Sequence, residues 1–260
     1  PCPGPDCDGD EFALGSDGDE VWLFAADATG RLLGYYDGFS FGAADNGVTF
    51  GRHVISTGEE KVTALSSPTL GSANTGPRIG PVVINEIQYH PVDGADGSDN
   101  AADEFIELRN LAAQPVALYD PLQPTNTWRL SGGADFVFPA GRVLAAGEYL
   151  LLVNFDPADG ARLADFVARR GVPAGVTVLG PYGGKLDNSA DDVELKKPAT
   201  ALPTGVPYVM VDKVSYRDSA PWPAGADGTG LSLQRRAGNV FGNDPASWVA
   251  AQPTAGRENV

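Results

Sequence analysis

The amino-acid sequence predicts an all-β chain of the sandwich type with one short helix. Three observations support this fold class: the apolar residues come in short runs, turn-forming clusters separate the runs, and one segment alone has helical spacing. Turn formers are abundant, with 33 Gly and 21 Pro in 260 residues. Short strands with Gly- and Pro-rich turns are typical of β-sandwiches, and the length allows one large or two modest domains.

The first sixty residues alternate strand candidates with turns. The candidates are EVWLFAAD, RLLGYYDGFSFG and VTFGRHVIS, and the segments DATG and ADNG between them carry the Asx and Gly chemistry of tight hairpins. Residues 56–81 lose this alternation and are rich in Ser, Thr, Gly and Pro, a composition typical of a linker.

A second series of strand candidates begins at PVVINEIQYHP. It continues with EFIELRNL, VALYD, TWRL, DFVFP, EYLLLVN, VTVLG, DVELKK, YVMVDKVSYRD and LSLQRR. Between EYLLLVN and VTVLG, the segment DPADGARLADFVARRG has helical spacing. We expect one helix there, with Asp156 as its cap, Pro157 in its first turn, an apolar face of Leu163, Phe166 and Val167, and Gly171 as its stop.

Residues 12–77 and 184–259 form an internal repeat. LGSDGDEVWLFAAD aligns with LDNSADDVELKKPA, GYYDGFSFGAADNGVTFGRH aligns with DKVSYRDSAPWPAGADGTGLSLQRR, and SPTLGSAN aligns with AQPTAGREN. A repeat defines the folding unit. Because nothing in the first copy matches residues 82–153, the first copy corresponds to the second half of a unit whose first half is missing.

The second copy resembles the lamin tail domain, an immunoglobulin-like β-sandwich found in many secreted and surface-anchored bacterial proteins. The resemblance lies in the order of VVINEIQYHP, DEFIELRN, PVALYD, NTWRL, FVFPAGRVLAAGEYLLLV, GPYGGKLDNSADDVELKK, VDKVSY, WP, DGTGLSLQR and PTAGREN. It covers residues 80–259 in full and residues 12–77 as a C-terminal half. The acidic loop at 92–103, the helical segment at 157–170 and the insertion KPATALPTGVPY depart from the family pattern.

The resemblance implies a non-enzymatic role in interaction or scaffolding. Nuclear-lamina functions do not transfer, because the coiled coil that defines lamins has no counterpart in these residues. The domain organisation that follows is a Cys- and Asp-rich segment at 1–11, the C-terminal half of a lamin-tail-like unit at 12–77, a linker at 78–81 and a complete unit at 82–260.

A half sandwich is expected to expose strand edges and an apolar face. The predicted face consists of Val21, Leu23, Tyr35, Phe39 and Phe41. Proteins do not usually leave such edges bare. Three explanations are open: the chain is a fragment of a longer tandem array, the half unit packs on the complete one, or strands of another subunit complete it, which would build a fibre if repeated head to tail.

Charge and cysteine content limit the partners and the compartment. The formal charge is −16, from 18 basic and 34 acidic residues, so binding to nucleic acid is disfavoured, whereas divalent cations and an extracellular medium fit. No apolar run reaches the ~18–20 residues of a membrane span. Cys2 and Cys7 are expected to form a local disulfide, since two thiolates alone do not complete a zinc site. The start at Pro1 indicates a mature or trimmed chain.

One acidic loop and its neighbouring strands are the candidate metal site. Carboxylates crowded together raise one another's pKa unless a cation joins them, so Ca²⁺ is one interpretation and a solvated acidic loop is the other. The spacing is not that of an EF-hand. The candidate ligands are Glu86, Asp93, Asp96, Asp99, Asp103, Glu104 and Glu107, and the stretch DCDGDE at 6–11 is a weaker candidate of the same kind.

Other residue types point away from catalysis. His53 and His90 have no sequence partner that resembles a nucleophile, and no serine elbow, phosphate loop or zinc-protease motif is present. A hydrolase would need Glu86, Glu104 or Glu107 in a cleft with a raised pKa. Trp22, Trp128, Trp222 and Trp248 fit core packing, and a carbohydrate platform would instead require exposed rings side by side.

Together these patterns predict a non-enzymatic structural or adhesive protein outside the cell or at its surface. We expect it to contact itself, as a homo-oligomer or filament, or other surface proteins, with Ca²⁺ as a stabilising ion. The alternative is an accessory binding module of a larger secreted enzyme, with the catalysis elsewhere.

Overall fold

The computed structural model describes residues 13–260. The predicted Cys2–Cys7 disulfide and the acidic stretch at 6–11 lie outside these residues. The N-terminal part contains two antiparallel hairpins, formed by β1 (Gly18–Ala26) with β2 (Leu32–Gly42) and by β3 (Phe50–Val54) with β4 (Glu60–Ala64). The expected turn DATG lies between β1 and β2, and the expected turn ADNG lies between the two hairpins.

The remaining strands form a sandwich that begins at residue 82. In chain order they are β5 (Val82–Gln88), β6 (Phe105–Asn110), β7 (Val116–Ala117), β8 (Tyr119–Asp120), β9 (Gln123–Thr127), β10 (Arg129–Gly132), β11 (Ala134–Val137), β12 (Val143–Leu144), β13 (Tyr149–Val153), β14 (Thr177–Leu179), β15 (Gly183–Gly184), β16 (Ala190–Pro198), β17 (Tyr208–Arg217), β18 (Ser232–Arg235) and β19 (Trp248–Ala251). Short 3-10 turns occur at Ala101–Asp103, Ala224–Ala226 and Pro245–Ser247.

Two sheets enclose the core. One has the order β14-β13-β6-β5-β18-β19, and the other has the order β15-β11-β10-β16-β17. Val193 and Leu195 of β16 point into the core and alternate with charged residues such as Glu194 on the outside, as one buried sheet face requires. The prediction of an all-β sandwich is therefore confirmed.

A single α-helix is present in the described part of the chain, as predicted. Helix α1 (Gly160–Arg170) packs through Phe166 against Phe105 and Phe155, on the outer side of the six-stranded sheet. Its cap is Asp159 rather than the predicted Asp156, because Asp156 instead holds the preceding turn through the N–H of Ala158. Across residues 13–260, no helix combines the length and apolar character needed to cross a membrane.

Two strands lie outside the predicted strand candidates. β4 lies within residues 56–81, whose composition predicts a linker, and β19 lies near the end of the chain. Each of these strands is short and is held by its neighbour, β4 by β3 and β19 by β18. Strand formation there depends on pairing, which composition does not show.

A buried ion pair joins the two sheets. Asp212 of β17 and Arg235 of β18 lie 2.5 Å apart, and both side chains are almost fully buried. The pair also binds the backbone of β5, because Ile84 donates its N–H to Asp212 at 2.9 Å and accepts a bond from Arg235 at 3.0 Å. Every charge in this pair therefore has a partner, as burial demands.

The N-terminal hairpins contact the sandwich at a few points. Ala43 forms an isolated bridge with Val209, and Lys197 donates to Asp45 at 2.8 Å. Ser56 donates its N–H to Asp244 at 3.0 Å, and the ring of His53 meets that of Phe241 edge-on at 5.5 Å. These contacts hold β3 and the end of β2, but they leave most of β1 and the start of β2 away from the sandwich.

Replacing Arg235 should test the importance of the buried ion pair. We expect Arg235→Met to lower the free energy of unfolding by about 3–5 kcal/mol, because it leaves Asp212 buried and uncompensated. Urea unfolding at neutral pH measures this loss.

Arg52 provides a matched control, because it forms an ion pair with Asp37 at 2.5 Å that is partly exposed. Arg52→Met should cost less than about 1 kcal/mol, since water screens exposed pairs. Equal losses in the two variants would contradict a special role for the buried pair.

Candidate functional site

The loop acids have separate local partners. Asp96 accepts bonds from the N–H and hydroxyl of Ser98, and these bonds lower its pKa. Lys185 donates to Asp99 at 2.5 Å and lowers the pKa of that carboxyl. Asp103 is half-buried, which acts to raise its pKa, but hydrogen bonds from Arg169 and Asn100 outweigh burial and hold the pKa below its usual value.

The three predicted strand-associated glutamates are fully buried. Glu86 accepts bonds from Ser232 and Thr254, and Glu107 accepts from Asn85 and from the N–H of Gly256. Burial raises the pKa of Glu86, and burial together with the charge of Glu86 raises the pKa of Glu107 to about 8. These carboxyls fasten the C-terminal segment onto β5 and β6.

Glu104 is a third buried carboxyl with a different partner set. Its Oε2 accepts a bond from Tyr182 at 2.7 Å and from the N–H of Leu186 at 3.1 Å. Burial raises its pKa to about 7. The raised pKa values that a hydrolase would need are thus present at Glu86, Glu104 and Glu107. Both oxygens of Glu86 and Glu107 accept structural hydrogen bonds, whereas Oε1 of Glu104 is buried without a hydrogen-bond partner among the described residues.

A cluster around His90 holds two of the seven predicted metal ligands. Within residues 13–260, His90, Asp93 and Asp99 are the group whose ligand atoms lie within 4.8 Å of one another. Asp227 binds His90 Nδ1 at 2.5 Å, which directs Nε2 toward Asp93 at 3.5 Å. An imidazole with carboxylates suits Zn²⁺ better than Ca²⁺, which prefers oxygen ligands.

The other five predicted ligands do not join that group. Asp103 is paired with Arg169, Asp96 caps its own turn, and Glu86, Glu104 and Glu107 are buried in hydrogen bonds. The seven residues are adjacent along two strands and a loop, but the pleat and the loop path direct them to different surroundings. Calcium binding by this chain stays a prediction.

The inner face of the β1–β2 hairpin is largely uncovered. Leu23 is 72% exposed, and Val21 and Tyr35 are also exposed. Phe39 and Phe41 are partly buried because Phe41 packs on Phe50 of β3, with ring centroids 5.4 Å apart. Three of the five residues predicted to form an open face, Val21, Leu23 and Tyr35, are therefore exposed, whereas the rings of Phe39 and Phe41 lie against neighbouring rings.

The outer face of the same hairpin is also apolar. The ring of Tyr36 lies 5.8 Å from that of Trp22 and 5.8 Å from that of Phe24, and all three side chains are exposed. The rings are inclined to one another by 58° and 33°, so they do not form the flat platform on which a sugar ring stacks. The unbroken apolar run VWLF was the sequence signal for two apolar faces.

The other tryptophans are buried, as core packing predicts. Trp128, Trp222 and Trp248 belong to the main core, and Trp248 donates its indole N–H to Gly242 at 2.7 Å. Trp22 is the member of the set that reaches the surface. The pairing of His90 with Asp227 had no sequence signal, because 137 positions separate them.

A cavity of about 550 Å³ lies between the hairpins and the sandwich. Its walls include Phe41, Phe50, Val62, Val211 and Lys213. A more open polar recess of about 600 Å³ beside it is lined in part by Asp191, Asp192 and Arg217. None of the three buried glutamates lines either space.

Matching contacts occur in the two aligned segments. Asp37 pairs with Arg52 as Asp212 pairs with Arg235, in both cases at 2.5 Å. Three further hydrogen bonds are repeated. Gly15 donates its N–H to Asp19 at 2.9 Å, as Asp187 donates to Asp191 at 3.2 Å. Asn74 donates to the carbonyl of Arg52 at 3.1 Å, as Asn259 donates to that of Arg235 at 2.9 Å. Thr69 donates its hydroxyl to Asn74 at 3.3 Å, as Thr254 donates to Asn259 at 3.2 Å.

The turn after the last strand is also alike in both segments. Gly71 and Gly256 have φ of 72° and 78°, a left-handed conformation that favours glycine. Ser72 donates its N–H to the carbonyl of Thr69 at 3.0 Å, and Arg257 donates to that of Thr254 at 2.8 Å.

The fold and the exposed hairpin define a β-sandwich protein with an uncovered apolar surface. No protein-family model matches the chain, and no curated protein matches it. Among solved structures, a DUF4876 family protein from Bacteroides thetaiotaomicron VPI-5482 is similar, with a TM-score of 0.42 and 12% identity over 92% of this chain and 88% of that chain.

The buried glutamates predict how stability changes with pH. The pKa of Glu107 is 4.5 in the absence of burial and about 8 in the folded protein. Between those values the native state binds more protons than the unfolded state, so stability is fully present below about pH 4.5 and falls as the pH rises toward about 8. For one extra proton bound by the native state, the free energy of unfolding falls by about 1.4 kcal/mol for each unit by which the pH rises.

Urea unfolding at about pH 5, 6.5 and 8 measures this slope. Glu107→Gln should flatten it, although the variant will be less stable because Gln cannot accept both native hydrogen bonds. Glu258→Gln is the control, because that side chain is 82% exposed. An unchanged slope in Glu107→Gln would show that the carboxyl is ionised in the native state.

Proposed function

We propose that this chain is a non-enzymatic, extracellular structural or adhesive protein of lamin-tail-like units that associates through its N-terminal half unit. The observation that supports the proposal is the β1–β2 hairpin, which presents apolar side chains on both faces. Its counterpart in the second unit is the hairpin β16–β17.

The comparison of the two hairpins shows what is missing. Val21 and Leu23 align with Val193 and Leu195, which are fully buried beneath the opposite sheet. On the other face, Trp22 aligns with Glu194, which belongs to a ladder of ion pairs with Lys196 and Lys213. The first hairpin therefore lacks the cover of its inner face and also lacks the charges that keep the outer face of the second hairpin in water.

The exposed apolar area is large enough for protein association. Exposed members of the hairpin are Val21, Trp22, Leu23, Phe24, Leu32, Leu33, Tyr35 and Tyr36. The four aromatic side chains have roughly 150–250 Å² each when fully exposed and are about half exposed, so together with the four aliphatic side chains the set presents on the order of 800 Å² over both faces, comparable to one side of a standard interface. Since this area is divided between two faces, a two-fold pair would cover one face, and association through the other face would extend the assembly into a filament.

Strand β1 also has a free edge. It pairs with β2 and with no other strand of residues 13–260. An unpaired edge is a ready template for a further strand. A partner at the β1–β2 hairpin can therefore form backbone hydrogen bonds with the edge of β1 and also contact the exposed apolar side chains.

Leu23→Glu should weaken self-association at least tenfold, because it places a charge where a buried leucine is expected. Sedimentation and light scattering over a concentration series measure the dissociation constant, and electron microscopy distinguishes dimers from filaments. Added salt should strengthen association of the unmodified protein, because copies with a charge of −16 repel one another.

Leu122→Glu is the matched control, since Leu122 is 90% exposed and lies outside the hairpin. It should leave association unchanged. A protein that stays monomeric at all concentrations and salt levels, with or without Leu23→Glu, would refute the proposed self-association.

A further inference from the structure

We infer that the first unit carries a preformed docking track for one kind of partner, a β-strand with an Ile-Asn-Glu core like that of β5. The inference goes beyond the proposed self-association, because it names a second kind of partner for the half unit that a folded copy does not supply. The track consists of Asp37, Arg52, Thr69, Gly71 and Asn74, whose counterparts hold β5 in the second unit.

In the second unit, three consecutive residues of β5 are held by specific polar contacts. Asp212 and Arg235 bind the N–H and carbonyl of Ile84 at 2.9 Å and 3.0 Å. Asn259 donates to the carbonyl of Asn85 at 2.9 Å, and the Asn85 side chain donates back to it at 3.1 Å.

The glutamate that follows is held by the C-terminal turn. Thr254 donates its N–H and its hydroxyl to Glu86, at 3.0 Å and 2.9 Å. On the adjacent strand β6, Glu107 accepts the N–H of Gly256 at 2.5 Å. The turn therefore receives two carboxyls, one from each of two neighbouring strands.

The first unit repeats the holding groups, but no strand of residues 13–260 occupies the position that β5 has in the second unit. Asp37 and Arg52 are paired and partly exposed, and Asn74 binds the carbonyl of Arg52 just as Asn259 binds that of Arg235. No described residue accepts a hydrogen bond from the N–H of Thr69 or Gly71.

The same turn exposes an apolar side chain that a docked strand pair would cover. Leu70 is 97% exposed, whereas its counterpart Ala255 is fully buried against the outer side of the six-stranded sheet. The N–H groups of Thr69 and Gly71, the side chain of Leu70 and the nearby Asp37–Arg52 ion pair are thus arranged for a partner that resembles β5 and β6.

The stoichiometry of the repeat restricts the source of that partner. Within residues 13–260 there is one set of opening strands, at 82–153, and there are two sets of closing strands, one before residue 78 and one at 184–259. A copy that donated residues 82–153 to the half unit of another copy would remove them from its own complete sandwich. Such an exchange therefore does not increase the number of completed sandwiches. The occupant is therefore a β5-type strand that is not already held in a sandwich.

A peptide with the sequence of residues 81–90, PVVINEIQYH, provides the probe. Fluorescence anisotropy of the labelled peptide with the full chain should show saturable binding, and the peptide carrying Asn85→Ala and Glu86→Ala should bind at least tenfold more weakly. Hydrogen exchange should slow at residues 50–54 and 69–75 when the unmodified peptide is bound.

Asn74→Ala in the protein should also weaken binding at least tenfold, and Asn46→Ala, at another exposed asparagine, should not. Equal binding of the two peptides, or binding unaffected by Asn74→Ala, would overturn the inference. Self-association sensitive to Leu23→Glu is measured without the peptide, so either result can fail while the other stands.

Discussion

The buried Asp212–Arg235 pair is the interaction on which the sandwich depends. It connects β17 of one sheet with β18 of the other, and it binds the backbone of β5, the neighbour of β18 in the six-stranded sheet. Two buried charges are tolerated only when both are paired and hydrogen-bonded. The position of β5 is therefore determined by polar geometry as well as by apolar contact, and Glu86, on the same strand, anchors the chain end.

The N-terminal pair Asp37–Arg52 has the same shortest N–O distance in a different setting, and Arg52 also pairs with Glu60. Both side chains remain partly exposed, because no strand of residues 13–260 lies beside them as β5 lies beside Asp212 and Arg235. The local contacts of residues 13–80 form without such a strand, whereas the burial of their apolar face does not. This separation explains how residues 13–80 have well-defined hairpins and also an uncovered surface, which is the physical basis of the proposed association.

The carboxylates show how burial directs the use of similar residues. Glu86 and Glu107 face each other on neighbouring strands and serve as acceptors for the C-terminal turn. Asp99 and Asp103, on the loop, are neutralised by Lys185 and Arg169. His90 lies at the loop base and is oriented by Asp227. One acidic stretch of sequence thus supplies structural acceptors, surface ion pairs and a small histidine cluster.

The sequence by itself determined the features that depend on neighbouring residues. The short apolar runs and Gly-rich turns predicted the β-sandwich, and the spacing of Leu163, Phe166 and Val167 predicted the helix, since periodicity and turn chemistry are local. Only the tertiary structure decided which strands cover which faces. The exposure of Trp22, the burial of Glu107 and the pairing of His90 with Asp227 depend on contacts between distant segments, and no local pattern in the chain encodes those contacts.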